Sequence, residues 1–238
     1  MTIGENFLIL FNYFFVNRLC YNGSMKPLLF ILIAYLLGSI QTGLWIGQFI
    51  YHKNIRLLGS GNTGTTNTFR ILGAKAGIIT LIVDLLKGTF ATLLPIWFGV
   101  TGISPLLIGF FAIIGHTFPI YAKFKGGKAV ATSAGVLLAY SLPFFIYLLV
   151  IFMICLYLSS MISFSSITVA LIACLSVIIL PAFQLLLPKY DILLILIIFV
   201  MATIVLFRHK DNIKRIKNKT ENTLSIGLNL TKQKKPTK

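Results

Sequence analysis

Three polar segments interrupt an otherwise apolar sequence, and the residue types of the first suit phosphate binding. This segment, residues 58–70, contains Gly59, Gly61 and Gly64 and ends with Arg70. Glycines let backbone N–H groups converge on an anion, and a guanidinium binds phosphate through two parallel hydrogen bonds. The spacing formally matches a dinucleotide fingerprint, but apolar spans replace the βαβ context that such a fingerprint needs. We predict an anion site, the alternative being a flexible interhelical loop.

The second segment, residues 115–132, places Gly126 and Gly127 directly before Lys128. Paired glycines permit close approach of the backbone to a phosphate, and the ammonium supplies the counter-charge. Lys128 also opens a predicted helix, where free N–H groups favour anions. The alternative is that these lysines only anchor membrane topology, which does not account for the glycine pair. For His116, near the end of a span, we predict a structural role.

The third segment, residues 208–215, follows the last apolar run. His209 and Asn212 are three positions apart and share a helix face directed back toward the membrane. The polybasic residues 214–219 are interpreted as binding anionic lipid.

Polar side chains also occur within the apolar runs. Asp84 and Lys87 have the i, i+3 spacing of an ion pair, and we predict that they support the site structurally. Ser163, Ser165 and Ser166 fall at the inner end of a span, and they either contact substrate or bond their own helix.

The elements that must position these residues are membrane helices. Hydrophobic residues make up 57% of the chain and charged residues only 11%, which excludes a soluble domain and a disordered chain. Lys and Arg number 21 against five acids, giving a net charge of +16. These cations cluster between apolar runs as the positive-inside rule predicts, which disfavours nucleic acid as a partner. Three widely spaced cysteines indicate neither a metal site nor a disulfide framework.

Charge and hydropathy together predict an all-α, polytopic membrane helix bundle. A span needs about 20 mostly apolar residues. The predicted spans are 27–49, 77–99, 105–121, two short ones within 129–158 that break near Pro143, 165–187 and 192–207. If the three basic segments all face the cytoplasm, the number of spans between Lys128 and the serines at 163–166 must be even, because each span changes the side of the membrane. We therefore predict seven transmembrane helices, with the amino terminus outside and the carboxyl terminus inside.

The chain divides into three predicted parts. Residues 1–24 form an extension that fits no span, and we interpret Met25 as the natural start, the alternative being an interfacial amphipathic segment. Residues 25–207 form the membrane domain, and residues 208–238 form a basic cytoplasmic tail.

Several groups that can hold phosphate are predicted to converge on the inner face of this bundle. They are Ser60, Asn62, Arg70, Lys128 and His209. The His-x-x-x-x-Asp pair of acyltransferases that use acyl-CoA or acyl-carrier protein is missing, because the residues five after each histidine are Leu57, Tyr121 and Lys214. An enzyme of this kind must rely on positioning and charge stabilisation and needs an already reactive electrophile.

In these motifs the sequence resembles the bacterial acyl-phosphate:glycerol-3-phosphate acyltransferases. The matching stretches are Gly59–Arg70, Asp84–Gly88, Gly115–Pro119, Phe124–Thr132 and His209–Arg215. The resemblance implies a seven-span enzyme of the bacterial plasma (inner) membrane with a cytoplasmic active site. Such enzymes transfer a fatty acyl group from acyl phosphate to the sn-1 hydroxyl of glycerol 3-phosphate, giving lysophosphatidic acid, without metal or other cofactor. Docking with the soluble enzyme that makes acyl phosphate is left open.

The chain departs from the family pattern at six positions that carry no assigned chemistry, and two of them are small changes: Thr65 replaces an alanine and Ala129 a glycine. Gln41 replaces a proline, Asn54 an aspartate, Ser160 a basic residue and Lys219 a glycine. The last two weaken any assignment of Glu221 and the serines.

From the residues and the resemblance together we assign a candidate site. The catalytic residues are Ser60, Lys128, His209 and Asn212. The substrate-binding residues are Gly59, Gly61, Asn62, Gly64, Thr66, Asn67, Arg70, Gly126, Gly127, Ser165 and Ser166, with Asp84, Lys87 and His116 as structural support. Ser60 and the glycine loop are expected to hold one phosphate, Arg70 and Lys128 to neutralise charge, and His209 and Asn212 to orient glycerol 3-phosphate.

The competing function is a transporter of an organic phosphate anion. Such a protein also needs basic groups and broken helices, but it predicts polar residues at mid-depth and a pathway open to both faces.

Overall fold

A computed structural model describes residues 25–233. The predicted extension at residues 1–24, and with it the interpretation of Met25 as the start, lies outside the described residues. The regular elements between residues 25 and 233 are all helical. The α-helices are α1 Met25–Ser39, α2 Thr42–Phe49, α3 Thr65–Leu72, α4 Ala74–Trp97, α5 Pro105–Thr117, α6 Val130–Tyr140, α7 Leu142–Ser159, α8 Ile162–Ile179, α9 Ile192–Arg208 and α10 Lys210–Lys217. Short 3₁₀ turns cover Ile55–Leu57, Ile120–Ala122 and Leu180–Phe183.

Four segments are long and apolar enough to cross a membrane unaided. They are Ala74–Trp97, Pro105–Ala122, Leu142–Ser159 and Ile162–Phe183. Two further pairs qualify if each bent pair is one span: α1 with α2, bent by 48°, and α9 with α10, bent by 59°. The structure thus gives four to six candidate spans in the described residues. The remaining predicted span, the fourth along the chain, corresponds to α6, whose 11 residues rise only about 16 Å.

The predicted break near Pro143 is present. Ser141 adopts an extended conformation between α6 and α7, and Pro143 lies in the first turn of α7, where its missing N–H has no intrahelical partner to lose. Around this corner lies the largest apolar core, which includes Val136, Phe144 and Ile197.

Small residues bring the helices of the bundle close together. A Cβ on Gly38 of α1 would collide with the backbone of Ala112 in α5, and one on Gly115 of α5 would collide with the Tyr35 carbonyl. Gly88 and Gly135 make the equivalent approach between α4 and α6. In lipid, where apolar burial does not drive helices together, this close packing is a principal source of association.

The first span is broken, although the sequence predicted one continuous helix. The helix stops at Ser39 and resumes at Thr42, and the Ile40 carbonyl at the break accepts a hydrogen bond of 2.7 Å from Lys87 Nζ. Lys87 Nζ also lies 2.7 Å from Asp84 Oδ1, which confirms the predicted ion pair. Thr42 Oγ1 donates to the same carboxylate oxygen at 3.2 Å. A buried ammonium therefore satisfies the backbone group that the bend exposes.

Candidate active site

The second and third polar segments meet at Lys128. Its Nζ donates a hydrogen bond to Oδ1 of Asn212, a residue 84 positions later in the chain. Lys128 lies between α5 and α6, and Asn212 lies in the first turn of α10, which begins after the 59° bend that follows α9. Two of the residues assigned to catalysis are therefore in direct contact, as their predicted convergence requires.

A buried carboxylate organises the other side of Asn212. Glu221 is 4% exposed; its Oε1 accepts from Asn212 Nδ2 at 2.8 Å and from Ser163 Oγ at 3.0 Å. Its Oε2 accepts from Arg215 Nε at 2.8 Å. Since the Asn212 amide gives its N–H to Glu221, its carbonyl oxygen is directed at Lys128. We call Lys128, Asn212, Glu221, Arg215 and Ser163 the Glu221 network.

The pKa values of Lys128 and Arg70 are influenced by the same two charged groups, Glu221 and Arg215. Burial lowers the pKa of Lys128 to about 8, and Glu221 opposes this shift while Arg215 adds to it. Partial burial also lowers the pKa of Arg70, again with Glu221 acting against the shift and Arg215 with it. Glu221 and Arg215 thus act on the charges of both Arg70 and Lys128.

His209 occupies the junction between α9 and α10. It is 2% exposed, and its Nδ1 lies 2.8 Å from the Val205 carbonyl, which fixes the ring orientation. Because His209 caps α9 and precedes α10, it does not share one continuous helix with Asn212 as predicted. The two side chains are nevertheless both buried beside the bend.

The structure gives Gly126 and Gly127 a packing role that differs from the predicted phosphate contact. Their N–H groups donate to the carbonyls of Thr117 and His116 at 3.2 and 3.1 Å. A Cβ on either glycine would collide with His116. Their carbonyls accept hydrogen bonds from Arg208, from Nε at 3.1 Å in the case of Gly127. The glycine pair therefore lets the loop fold against α5, and this packing places Lys128.

Asn67 was assigned to substrate binding, but the structure gives it a scaffolding role. It is 1% exposed; its Oδ1 accepts from the Ser60 N–H at 3.0 Å and its Nδ2 donates to the carbonyls of Ile55 and Leu58. Both polar atoms of the amide are thus used inside the loop. Gly59, at φ +59°, leaves room for this amide.

The remaining residues of the first segment shape the loop around α3. Asn62 Oδ1 accepts from the Gly64 N–H at 3.3 Å, and Gly64 caps the start of α3, whose first turn includes Thr66. Gly61 adopts φ +69°. Ser60 is exposed.

Gln41 connects the first and second segments, which the sequence did not indicate. It is 1% exposed, accepts from Thr63 Oγ1 at 2.7 Å and donates to the His116 carbonyl at 3.1 Å. This glutamine stands where the family pattern has a proline, so the departure adds a bridge between the two loops. His116 is buried, and its Nδ1 lies 3.8 Å from Asp84 Oδ1, a position consistent with the predicted supporting role.

Ser165 and Ser166, which were assigned to substrate binding, bond their own helix, the alternative that the sequence had left open. Their hydroxyls donate to the carbonyls of Met161 and Ile162 at 2.9 and 2.8 Å, four residues earlier in α8. Of the three serines, Ser163 reaches the network through Glu221.

A polar cavity of about 430 Å³ lies beside the two glycine-containing loops, one around Gly61 and the other around Gly126. Its lining includes Gly61, Thr63, Gly126, Arg56 and Arg208, and so combines backbone of both glycine loops with two guanidinium groups. A volume of this size accommodates a small phosphorylated ligand.

The sequence-based assignment missed Glu221, Gln41 and Arg208. The available signal for Glu221 was its rarity: it is one of five acids in 238 residues and lies within the basic tail. A carboxylate among cations is a natural bridging group.

The sequence model of the family described as glycerol-3-phosphate acyltransferase matches residues 28–219. The glycerol-3-phosphate acyltransferase of Streptococcus thermophilus (strain CNRZ 1066) is 61% identical over 209 residues, which cover 88% of this chain and 98% of that protein.

Two solved structures are similar to this fold. The crystal structure of PlsY (YgiH), an integral membrane glycerol 3-phosphate acyltransferase, in its glycerol 3-phosphate form has a TM-score of 0.74 and 31% identity. The lysophosphatidic acid form of the same protein has a TM-score of 0.70 and 30% identity. Each comparison covers 83% of this chain and 95% of the other.

Proposed function

The chain belongs to the family of glycerol-3-phosphate acyltransferases, and we propose that it transfers a fatty acyl group from acyl phosphate to the sn-1 hydroxyl of glycerol 3-phosphate. It is an acyltransferase of the membrane, and lysophosphatidic acid is its product. The acyl phosphate donor is the new element of the proposal. It is supported by the missing His-x-x-x-x-Asp pair, since a site without that base needs an activated electrophile.

The observation that carries the proposal is the contact of Lys128 with Asn212 inside the Glu221 network. This contact places the Lys128 ammonium next to the Asn212 amide, and the charges of Glu221 and Arg215 act on Arg70 as they do on Lys128. These groups suit the phosphate of glycerol 3-phosphate, and His209 beside the bend is placed to orient its hydroxyls. Ser60 and the glycine-containing segment 58–70 are proposed to hold the phosphate of the donor, next to the polar cavity.

The proposed chemistry needs no strong base on the protein. The sn-1 hydroxyl oxygen attacks the acyl carbonyl carbon, the bond from that carbon to the phosphate oxygen breaks, and inorganic phosphate leaves. The hydroxyl proton passes to a phosphate oxygen of a substrate. Lys128 and Arg70 stabilise the negative charge that develops during this transfer, and such electrostatic stabilisation is usually the main source of rate acceleration in sites of this kind.

We further propose the seven-span topology, with α6 as a short fourth span and α9 as the last. In this arrangement the amino terminus lies outside, the candidate site faces the cytoplasm, and the protein resides in the bacterial inner membrane. Support comes from contacts that bring the basic segments together: Arg56 donates to the Lys125 carbonyl and Arg208 to the Gly126 carbonyl, and the positive-inside rule assigns such segments to the cytoplasm. The division into residues 1–24, 25–207 and 208–238 is proposed on the same grounds, and a cytoplasmic site would be accessible to a soluble enzyme that supplies acyl phosphate.

The test is an assay with purified protein, palmitoyl phosphate and radiolabelled glycerol 3-phosphate. We expect labelled lysophosphatidate and equimolar inorganic phosphate, and no product when palmitoyl-CoA replaces the acyl phosphate. Product formed from palmitoyl-CoA alone would contradict the proposed donor. Uptake of label into proteoliposomes without any acylation would instead favour the transporter.

A further inference from the structure

After Glu221 the chain folds back onto the end of α7. The N–H groups of Leu224 and Leu228 donate to the carbonyls of Ser160 and Tyr157, each at 2.8 Å, and the Leu230 N–H donates to the Leu158 carbonyl at 3.0 Å. We call residues 222–230 the strap. These three backbone hydrogen bonds fix the strap against the last turn of a candidate membrane span.

The end of α7 marks the depth at which the strap lies. Only 17% of this helix is buried inside the protein, so most of its surface faces lipid. Tyr157, which is 59% exposed, stands in its last turn, where tyrosines of membrane helices mark the boundary with water. A segment bonded to the Tyr157 carbonyl therefore lies at the membrane–water boundary.

The strap presents apolar side chains that residues 25–233 leave uncovered. They are Leu224, Ile226, Leu228 and Leu230, with exposures of 39%, 60%, 54% and 62%. Four large apolar groups within seven residues form a patch that marks an interaction site rather than a solvated surface. The patch continues the lipid-facing surface of α7, on which Ile154 and Leu158 are also exposed.

Basic residues flank this patch. Lys217 and Lys219 precede the strap and Lys232 follows it, and all three are exposed. Apolar groups between lysines are the pattern of a segment that lies in the headgroup region of an anionic membrane. Lipid is thus a better match to the charge and position of the patch than a second protein.

We propose that the strap is inserted in the headgroup region of the leaflet nearest the candidate site, with its leucine and isoleucine side chains against the acyl chains. The strap leads to Gln233, whose Oε1 accepts from the Glu221 N–H at 3.1 Å and whose Nε2 donates to the Ile216 carbonyl at 3.3 Å. Lipid contact therefore holds in place the segment that positions Glu221. This role is additional to the proposed function and does not depend on the identity of the acyl donor.

The experiment measures the depth of the strap in the full-length protein. Cys20, Cys155 and Cys174 are replaced by alanine, and a nitroxide is attached to Ile226→Cys or, as the matched aqueous control, to Lys217→Cys. Each protein is reconstituted in nanodiscs that contain phosphatidylglycerol. Continuous-wave EPR then compares collisions of the nitroxide with oxygen, which partitions into lipid, and with a water-soluble nickel chelate.

At Ile226 we expect frequent collisions with oxygen and loss of the collisions with nickel that are seen at Lys217. Equal nickel accessibility at the two positions would overturn the proposal, because the strap would then lie in water. Exclusion of both reagents at Ile226, with spin–spin broadening that disappears on dilution with unlabelled protein, would also overturn it, because a second copy of the chain would then cover the patch.

Discussion

The Asn212 Nδ2 donates to Glu221 Oε1 at 2.8 Å, and this single contact decides which end of the amide faces Lys128. If the amide turned over, its NH₂ group would face the Lys128 ammonium, and two donors would meet. The carboxylate thus acts on Lys128 through Asn212.

Replacement of Glu221 by glutamine tests this relationship. The variant removes the charge that pairs with Arg215 and relaxes the constraint on Asn212. We expect a loss of roughly 2 kcal/mol in stability, below the usual range for buried pairs because Arg215 is one-third exposed. The midpoint temperature of thermal unfolding in detergent (Tm) and kcat/KM for glycerol 3-phosphate should both fall. The control is Asp211→Asn, which removes an exposed acid of α10 and changes the net charge by the same amount. This variant should leave Tm and kcat/KM nearly unchanged. Equal effects in the two variants would contradict the role of Glu221.

Lys128→Ala should reduce turnover on the order of 10²-fold or more, because one of the groups that stabilise the charge of the transition state is lost. The measurement is lysophosphatidate formation at saturating substrates. Lys123→Gln removes an exposed cation of the same loop and serves as control. Near-normal turnover of Lys128→Ala would show that Lys128 only anchors the loop.

The partly buried ammonium of Lys128 also predicts a pH dependence. Burial lowers the pKa of Lys128 to about 8, so the side chain loses its positive charge as the pH rises through 8. An ordinary lysine would keep that charge until well above pH 9. Since kcat/KM reports ionisations of the free enzyme, it should decline above pH 8 in steady-state assays. A profile that stays flat to pH 10 would contradict a required Lys128 ammonium.

Lys219→Gly should stabilise the protein. Lys219 adopts φ +57°, and the N–H groups of Lys219 and Thr220 donate to the carbonyls of Ile216 and Arg215. This is the Schellman arrangement that ends many helices, and glycine is preferred at its left-handed position. We expect a gain of about 1 kcal/mol, measured by chemical unfolding. Lys217→Gly, two residues earlier and inside α10, should instead destabilise it.

The ion pair at the broken first span predicts non-additive effects. Lys87→Leu leaves the buried Asp84 carboxylate without its cation and should cost about 3–5 kcal/mol. The double variant with Asp84→Leu removes both charges and should recover most of that loss. Folded yield and thermal unfolding of the four proteins of the cycle give the coupling energy. Simple addition of the two single effects would show that the pair contributes little.

The features that the sequence predicted correctly follow from local rules. Ser141 and Pro143 indicate a helix boundary, and the i, i+3 spacing of Asp84 and Lys87 brings them onto one helix face. Clustered cations mark the three polar segments, two between apolar runs and one after the last. In each case the relevant neighbours lie within a few residues of one another.

The features that it missed depend on distant partners. Glu221 lies 58 positions after Ser163, and no local pattern indicates that it should bridge Asn212, Arg215 and Ser163. Serines in a helix also have a nearby acceptor, and Ser165 and Ser166 use it, which sequence spacing cannot distinguish from a substrate contact. Gln41 was visible only as a departure from a family pattern.

The position of Glu221 in the chain has a consequence for biosynthesis. Since synthesis proceeds from the amino terminus, every candidate span leaves the ribosome before Glu221 and Gln233 do. The nascent chain can therefore assemble the helices around Lys128 and Arg70 while their neighbouring carboxylate is still missing. The Glu221 network forms only when translation has passed the strap, so acquisition of a competent site is a late event that follows membrane insertion.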